Sequence, residues 1–318
     1  MNEKKRAMCF AALVGVLASS GCASAEHAPK GAGGAGGANG TDTMDVVDVT
    51  EVQLIRSATV AIHYRSAGRR NIKILVDPIL GDPNTEPAID YSNGIKIPMI
   101  PLLIDKRQLI ADIDAVLLTH YHPDHFDGEA ERILPKDTLI FCQPYDEARL
   151  REKGFSNLRV VDKESRWEGI TISRFLATHY KGATGAPPFG ESSSFLLRTR
   201  NNGVFFTGDA ILDDRLRGHL RATHPETIVA NTGECQFTKD NPVLMPGVTM
   251  TLTSAELAEM ARSLPSSTIV AVHMDAINHC PLTKRDLRRF VDANGLRDHI
   301  RVPNEGDVLV ARAGAPSK

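Results

Sequence analysis

The chain is poor in aromatic residues and carries little net charge. Aromatic side chains make up 5% of its 318 residues, and the formal net charge is −2. Proteins that bind nucleic acid present basic surfaces, and those that bind single strands add aromatic rings on which the bases stack. Neither feature is present, so we expect no nucleic-acid partner. An apolar share of 42% and a charged share of 24% are ordinary for a soluble, enzyme-like domain.

Hydrophobic stretches long enough to span a membrane are also scarce in the sequence. The apolar stretch 7–18 follows three cationic residues and is too short to cross a bilayer comfortably. This pattern is typical of an export signal, which we place at residues 1–25. Cleavage after Ala25 would release a soluble protein, whereas lipidation of Cys22 would produce a lipoprotein on a flexible Gly/Ala-rich tether at residues 26–50. Either outcome places the protein outside the cytoplasm, in the periplasm or anchored to a membrane through its N-terminal lipid.

Cysteine is scarce as well. Only three of the five cysteines, Cys142, Cys235 and Cys280, lie beyond the expected signal. Their number is odd, and their spacing fits neither a metal site nor a CxxC pair, so we expect no disulfide framework. Cys142 follows an apolar run and is expected to be a small buried hydrophobe.

The most informative stretch is rich in histidine. It runs from Thr119 to His125 and directly follows the apolar run 115–118. Imidazole nitrogen and carboxylate oxygen are ligands that zinc, manganese and iron favour. Side chains alternate along an extended chain, so His120 and His122 point the same way and can share one ion. Asp124 and His125 follow where the chain turns, and they can reach a second ion.

Further histidine and aspartate residues follow other predicted strands. His179, Asp209 and His273 each come at the end of such a strand. Loops at one rim of a sheet structure can converge there and present functional groups. A single histidine at a strand end is more often structural, but chance is a poor explanation for the ordered set.

The HxHxDH pattern after a buried strand resembles the metallo-β-lactamase superfamily of hydrolases. Within it, the sequence is similar to the branch that includes ascorbate-6-phosphate lactonase and N-acyl-phosphatidylethanolamine phospholipase D. The resemblance covers about residues 52–311 and implies an α/β/β/α sandwich, with two face-to-face sheets and helices outside. We place this hydrolase domain at residues 51–318. The pattern of elements alone supports only a mixed α/β fold.

The resemblance also implies a dinuclear metal centre. The ligands of the first ion would be His120, His122 and His179. The ligands of the second ion would be Asp124, His125 and His273, with Asp209 bridging both ions. Zinc is the expected metal, and manganese or iron is the alternative, because a nitrogen and oxygen ligand set suits all three.

Two neighbouring segments would support this centre. In the resembled superfamily, an aspartate at the position of Asp77 orients a ligand from behind; the alternative is a simple Asp-Pro turn that ends a strand. Residues 81–101 are too long for a bare connection and contain apolar groups that need cover. We interpret them as a flap beside the active-site mouth or, alternatively, as an ordinary packed surface loop.

The resemblance implies hydrolysis by a metal-bridging hydroxide. Two cations lower the pKa of the bridging water, and the hydroxide attacks a carbonyl carbon or a phosphorus. Asp124 would orient the nucleophile and accept its proton. His279, shortly after His273, is our candidate for a substrate-side acid or oxyanion donor, the alternative being a structural histidine. Weaker candidates for the same role are Tyr180, Lys181 and Glu234.

The leading interpretation is an exported, dinuclear metal-dependent hydrolase of a lactone or other ester. The first alternative is a phosphodiesterase acting on a phospholipid-type substrate, and the second is a metal-binding protein without turnover. In the resembled superfamily, lactonases, thioesterases and phosphodiesterases carry the bridging aspartate, and drug-hydrolysing β-lactamases lack it. Asp209 therefore argues against antibiotic hydrolysis.

Hydrophobic periodicity, turn residues and helix caps predict the elements along the chain. Helices are predicted at residues 106–113, 126–134, 145–153, 254–263 and 283–293. Strands are predicted at residues 52–56, 58–64, 72–76, 115–118, 138–142, 158–161, 169–176, 193–198, 204–207, 227–230, 268–272, 300–303 and 308–311.

Overall fold

The computed structural model describes residues 49–65, 70–180, 190–242 and 244–311. The expected export signal, most of the tether and Lys181 lie outside the described residues. Within the described ranges, no helix has the length and apolar character needed to cross a membrane.

Seven strands form the first sheet. They are β1 (Val49–Arg56), β2 (Thr59–Arg65), β3 (Ile72–Val76), β4 (Ala115–Leu117), β5 (Ile140–Cys142), β6 (Leu158–Val160) and β14 (Val308–Val310). Their order across the sheet is β14-β1-β2-β3-β4-β5-β6. Strands β1 to β3 are antiparallel, whereas β3 to β6 run parallel. The carboxyl ends of β3 and β4 therefore lie at the same edge.

Seven further strands form the second sheet with the same kind of topology. They are β7 (Glu164–Trp167), β8 (Ile170–Leu176), β9 (Ser193–Arg198), β10 (Gly203–Phe206), β11 (Thr227–Asn231), β12 (Thr268–Val272) and β13 (Ile300–Arg301). Their order is β13-β12-β11-β10-β9-β8-β7. Both β8 and β10 are antiparallel to β9, and β11 and β12 run parallel to β10. The carboxyl ends of β8, β10, β11 and β12 therefore share one edge.

Helices cover the outer face of each sheet. The helices are α1 (Lys106–Ala111), α2 (Gly128–Ile133), α3 (Glu147–Glu152), α4 (Asp214–Thr223), α5 (Ser254–Ser263) and α6 (Lys284–Ala293). Apolar residues of α1 to α3 pack with the first sheet, and those of α4 to α6 pack with the second. A third cluster joins inward-facing side chains of both sheets. These four layers confirm the expected α/β/β/α sandwich.

The alternation of side chains along the strands produces this layering. In β2, Val60 and Ile62 face the interior between the sheets, whereas Ala61 faces the helices. Successive side chains of a strand point to opposite faces, so each sheet can contribute to two apolar layers.

The sequence-based prediction missed α4 and β7. Helix α4 buries only two leucines, Leu216 and Leu220, on an otherwise charged segment, so its apolar stripe is short. The Asp213 carboxylate, which accepts a hydrogen bond from Leu216 N, caps its first turn. Strand β7 is polar and pairs with β8 at the sheet edge, where strand propensity is a weak signal.

The expectation of no disulfide is wrong. Cys235 and Cys280 are bonded to each other, although they are 45 residues apart in the sequence. They follow β11 and β12, and the parallel pairing of these strands brings the two loops together. An odd number of cysteines does not exclude one pair. Cys142 is the remaining free cysteine of the described residues, and it is buried as predicted.

Candidate metal centre

Strand ends from both sheets supply the polar residues at one rim of the sandwich. In the first sheet, Asp77 follows β3, and the segment 118–125 follows β4. In the second sheet, the residues at the corresponding ends are His179, Asp209, Asn231 and His273. A main-chain hydrogen bond of 3.0 Å from His273 N to Ser57 O joins the two sheets here. The rim is thus built from both halves of the chain.

The predicted ligands form two groups of donor atoms. One ring nitrogen each from His120, His122 and His179 lies within 4.8 Å of the others. Within the same limit, the second group contains donor atoms of Asp124, His125, Asp209 and His273. The structure therefore brings together every residue that the sequence proposed as a ligand. All of them are buried except His122, which is partly exposed.

Asp209 lies between the two groups. Its Oδ1 is 3.2 Å from His125 Nε2 and 3.7 Å from His273 Nε2, whereas its Oδ2 is 3.8 Å from His179 Nε2. The Asn231 amide donates a hydrogen bond of 2.8 Å to Oδ1 and orients the carboxylate. One oxygen of Asp209 therefore faces each group, which is the placement that a bridging ligand needs.

Asp77 supports the cluster from behind, as the resemblance implied. Its Oδ2 is 2.8 Å from His125 Nδ1 and accepts a hydrogen bond of 2.7 Å from Thr119 Oγ1. The same threonine hydroxyl is 3.0 Å from His120 Nδ1. Partners of this kind orient the ring of a metal-ligating histidine and select its tautomer. Asp77 and Thr119 together therefore hold His120 and His125.

Burial and neighbouring charges oppose each other in the cluster. Burial acts to raise the pKa of Asp209, but His125 and His273 outweigh it and hold the pKa well below the usual range. Burial likewise acts to raise the pKa of Asp124, yet the hydrogen bond from His273 and the nearby imidazoles lower it. Burial, together with His125 and His122, lowers the pKa of His120. The two carboxylates are therefore ionised and His120 is neutral, so all three have lone pairs to donate.

His120 provides a test of whether the cluster fits a metal ion. Its Nε2 is buried and has no hydrogen-bond partner among the described residues. An unpartnered buried polar atom is costly, and native structures contain few of them. A cation held together with His122 and His179 would satisfy this nitrogen. The nitrogen and oxygen donor set suits zinc, manganese or iron, so the residues fit a divalent metal.

A cavity of about 480 Å³ opens beside the cluster. His122, Asp124, His179 and Asp209 form its floor, and residues 86–91 of the expected flap form one wall. The remaining wall consists of Phe237, Met250 and His279. The segment 81–101 therefore lies at the mouth of the site, as we expected for a flap.

Loops on the second sheet hold this flap in place. Asn278 accepts a hydrogen bond of 3.1 Å from Ile89 N, and Tyr91 O accepts one of 2.9 Å from Thr238 N. The rings of Tyr91 and Phe237 meet edge to face, with their centroids 5.6 Å apart. The flap and the loop at Phe237 thus form one continuous wall.

The substrate-side candidates differ in where they lie. His279 lines the cavity, and burial lowers its pKa to about 4 even though Asp124 opposes the shift. Tyr180 packs in an apolar cluster with Phe237 and Met250. Glu234 accepts hydrogen bonds from the main chain and hydroxyl of Ser254 at the start of α5, and its substrate-side role stays a prediction.

Sequence reasoning missed several supporting residues. Thr119, Asn231 and Asn278 were not singled out, although the first two also stand at strand ends. The strand-end rule that found the ligands could therefore have found Thr119 and Asn231. Asn278 lies within a loop, and its contacts with the flap depend on tertiary packing that the sequence does not reveal.

The fold and the cluster define the class of protein. Two face-to-face sheets between helices, with histidine and aspartate side chains gathered at the rim, form a metal-dependent hydrolase of the α/β/β/α type. The chain belongs to the β-lactamase superfamily, since the family model described as "Beta-lactamase superfamily domain" matches residues 73–274.

Two curated relatives agree with this family. The UPF0173 protein YddR of Bacillus subtilis is 28% identical over 257 residues, which cover 80% of this chain and 96% of that protein. The probable L-ascorbate-6-phosphate lactonase UlaG of Salmonella heidelberg is 23% identical over 207 residues, which cover 56% of this chain and 54% of that protein. The match to UlaG supports the resemblance seen in the sequence.

Two solved structures have the same fold. A possible metal-dependent hydrolase from Veillonella parvula is 26% identical with a TM-score of 0.75, and the match covers 82% of this chain and 99% of that one. An isothiocyanate hydrolase from Delia radicum gut bacteria is 29% identical with a TM-score of 0.74, and the match covers 83% and 100% of the two chains. These similarities identify the chain as a metal-dependent hydrolase.

Proposed function

We propose that the protein hydrolyses a small, uncharged ester or lactone at a centre of two divalent metal ions. His120, His122 and His179 would hold the first ion. Asp124, His125 and His273 would hold the second, and Asp209 would bridge them. The observation that carries this proposal is the pair of donor groups, each within 4.8 Å, with one Asp209 oxygen facing each group.

When bound, the metal ions would lower the pKa of a water molecule towards about 7 and polarise the carbonyl group of the substrate, whose carbon is the electrophile. The protein itself contributes position and hydrogen bonding. The pKa of Asp124 is lowered because His273 and neighbouring imidazoles stabilise its carboxylate, so Asp124 stays ionised and can orient the attacking water by accepting a hydrogen bond from it. His279 lines the same cavity and would donate a hydrogen bond to the oxygen on which charge develops.

The cavity wall supports an uncharged substrate. Ile89, Tyr91, Phe237 and Met250 provide an apolar surface, and the acidic residues of the lining other than Asp124 and Asp209 stand on the flap. Among the described residues of the lining, no lysine or arginine is present to pair with a phosphate. We therefore favour an ester or lactone with an apolar substituent over a phosphodiester.

Isothiocyanate hydrolysis is the second candidate function. The solved isothiocyanate hydrolase matches this chain at 29% identity over all of its own length. In this reaction, water adds to the central carbon of the R–N=C=S group and the carbon–nitrogen bond breaks. The nitrogen takes up the protons and leaves as an amine, and the carbon leaves as carbonyl sulfide. The apolar wall of the cavity suits the organic group R.

We also propose that the protein is exported, as a soluble periplasmic protein or as a lipoprotein lipidated at Cys22. The disulfide between Cys235 and Cys280 supports export, because disulfides persist in oxidising compartments and are rare in the cytosol. Mass spectrometry of the mature N-terminus distinguishes cleavage after Ala25 from lipidation at Cys22. An unprocessed N-terminus in the cell of origin would contradict both outcomes.

A substrate panel tests the catalytic proposal. The zinc-loaded full chain is assayed with an aliphatic lactone, an aryl ester, a phosphodiester and an aryl isothiocyanate, each with and without chelator. We expect chelator-sensitive turnover of the lactone or the ester. Amine release from the isothiocyanate alone would favour the second candidate. Phosphodiester turnover alone would contradict the argument from the lack of lysine and arginine among the described residues of the lining.

The variant His120→Ala/His122→Ala provides the control for the site. Both changes remove donors of the first group, so we expect loss of metal and turnover together. Metal content is measured directly, and circular dichroism verifies the fold. Retention of both metal equivalents by this variant would show that the ligand assignment is wrong.

A further inference from the structure

The disulfide between Cys235 and Cys280 lies directly behind the candidate metal centre. Both sulfur atoms are 3.6 Å from His273 Nδ1. The opposite nitrogen of the same ring, Nε2, is 3.1 Å from His125 Nε2 and 3.6 Å from Asp124 Oδ2. His273 is fully buried. One ring nitrogen of this imidazole therefore contacts the metal cluster, and the other contacts the disulfide.

This support differs from that of the other histidines. Oxygen atoms hold the rear nitrogens of His125 and His179, namely Asp77 Oδ2 at 2.8 Å and Met250 O at 3.1 Å. A metal-ligating histidine usually has such an oxygen partner. Within the described residues, the groups within hydrogen-bonding range of His273 Nδ1 are the two sulfurs. The orientation of the His273 ring thus depends on the cysteine pair.

The same disulfide joins the two loops that form the cavity wall. Cys235 precedes Phe237, and Cys280 follows His279, whose carbonyl accepts a hydrogen bond of 2.9 Å from Gln236 N. Asn278, two residues before Cys280, holds the flap at Ile89. The cysteines also belong to the apolar cluster beneath the flap. A single disulfide bond therefore links three parts of the site: the cavity wall, His279, and Asn278, which holds the flap.

Gly233 allows these segments to approach. A Cβ added at this position would lie 2.5 Å from His273 O, 2.6 Å from Cys235 Sγ and 2.7 Å from Cys280 Cβ. Contacts this short force the neighbours to move. The absence of a side chain at Gly233 therefore lets the disulfide pack closely against the His273 main chain.

We propose that Cys235 and Cys280 are positioning residues whose disulfide orients His273 toward the second metal ion and fixes the loops of the cavity wall. The inference rests on the proposed role of His273 as a ligand. It also makes the site sensitive to reduction. A phosphine reductant takes the oxygen of water to become a phosphine oxide and leaves two thiols, which removes the link between the loops.

The test compares the variant Cys235→Ala/Cys280→Ala with Cys142→Ala. The control also removes a buried cysteine, but from β5. Apo forms of the full chains are titrated with zinc against a chromophoric chelator, which resolves the affinity of each equivalent. We expect the double variant to bind one of two equivalents about 10–100-fold more weakly. The other equivalent, and both equivalents of Cys142→Ala, should retain wild-type affinity.

Reduction of the wild-type protein provides a second route that needs no mutation. Mass spectrometry first identifies the cross-linked peptides, and the protein is then treated with phosphine and freed of it before titration. We expect the same selective weakening of one equivalent. Circular dichroism at the titration temperature should show a folded protein, which separates loss of positioning from loss of fold.

Several outcomes would overturn the inference. One is wild-type affinity for both equivalents in the double variant and in the reduced protein. Another is a third zinc equivalent in the reduced protein, since the cysteine sulfurs and His273 Nδ1 are close enough to hold an ion themselves. Fewer than two equivalents in the oxidised wild type would overturn the proposed dinuclear centre together with this role.

Discussion

Asp77 holds the imidazole ring of His125 through a contact at its Nδ1. Its carboxylate is 2.8 Å from Nδ1 and also accepts two hydrogen bonds from Thr119. The change Asp77→Asn keeps the shape but removes the charge that favours donation by the imidazole. We expect about 10–100-fold weaker binding of the metal at His125. Zinc titration of the apo protein measures this loss.

Asp82→Asn provides a matched control for that experiment. Asp82 is exposed and pairs with Lys106 on the surface, so its charge should not affect the metal centre. We expect wild-type zinc affinity in this variant. Equal affinities of Asp77→Asn and the wild type would contradict the supporting role of Asp77.

Gly208 is a residue whose lack of a side chain positions Asp209. Its φ is +59°, and an added Cβ would lie 2.5 Å from Ser193 O. A left-handed conformation at a residue with a side chain costs about 1–3 kcal/mol, and the contact with the main chain adds to this. Gly208→Ala should therefore lower the free energy of unfolding by at least that amount, as measured by urea denaturation.

Gly218, in the middle of α4, offers the opposite expectation. Nothing lies within 4 Å of an added Cβ there. Alanine is more favourable than glycine inside a helix by about 0.5–1 kcal/mol, so Gly218→Ala should stabilise the protein. Similar effects of the two glycine substitutions would show that the Gly208 conformation is not required.

At the scale of the elements, one buried arginine fixes both ends of the flap. The Arg56 guanidinium donates to Ile79 O at 2.6 Å, just before the segment 81–101, and to Ile100 O at 3.2 Å, near the end of that segment. Arg56→Met removes both donors and leaves two carbonyls without this partner. Hydrogen bonds to charged groups contribute about 1.5–3 kcal/mol, and we expect a loss of stability in this range.

Limited proteolysis provides a local readout for the same variant. Release of the flap should expose residues 81–101 to cleavage before the protein unfolds globally. The control is Arg65→Met, since Arg65 is exposed and pairs with Glu51. Such surface pairs contribute under about 1 kcal/mol. Cleavage elsewhere, or equal stability of the two variants, would contradict the conclusion that Arg56 fixes the flap.

Elements that carry their own signal could be predicted from the sequence. Strands β3, β9 and β12 and helix α5 have the predicted bounds, because each combines an apolar or β-branched run with a clear turn or cap. Helix α4 could not be predicted, because two leucines and a cap on a charged segment are a weak signal by themselves. The two leucines stabilise the helix only when they pack on the second sheet. Local signals therefore define the framework, and packing adds the rest.

The candidate site was predictable for a related reason. Its ligands stand at strand ends, and the end of a strand can be read from the sequence before the sheet is known. The disulfide could not be read in this way, since no pattern around Cys235 or Cys280 indicates that β11 and β12 are neighbours. The cavity wall likewise combines Tyr91 and Phe237, which only tertiary structure brings together.

At the scale of the whole molecule, the candidate metal centre joins the two sheets. The first sheet supplies His120, His122, Asp124 and His125, and the second sheet supplies His179, Asp209 and His273. Metal ions held by both sets would oppose separation of the sheets. In their absence, buried carboxylates and imidazoles would remain without the cations that balance them. The metal ions should therefore stabilise the entire fold and not the rim alone.

Removal of metal should thus lower the thermal unfolding temperature of the full chain. A ligand present at about 1,000 times its Kd stabilises the folded state by about 4 kcal/mol, so loss of metal should shift the transition by several degrees. Scanning calorimetry with and without chelator measures the shift, and added zinc should reverse it. His120→Ala/His122→Ala should show a smaller shift, because the first group of donors is lost. An unchanged transition in chelator-treated wild type, verified to be free of metal, would contradict a metal centre that joins the sheets.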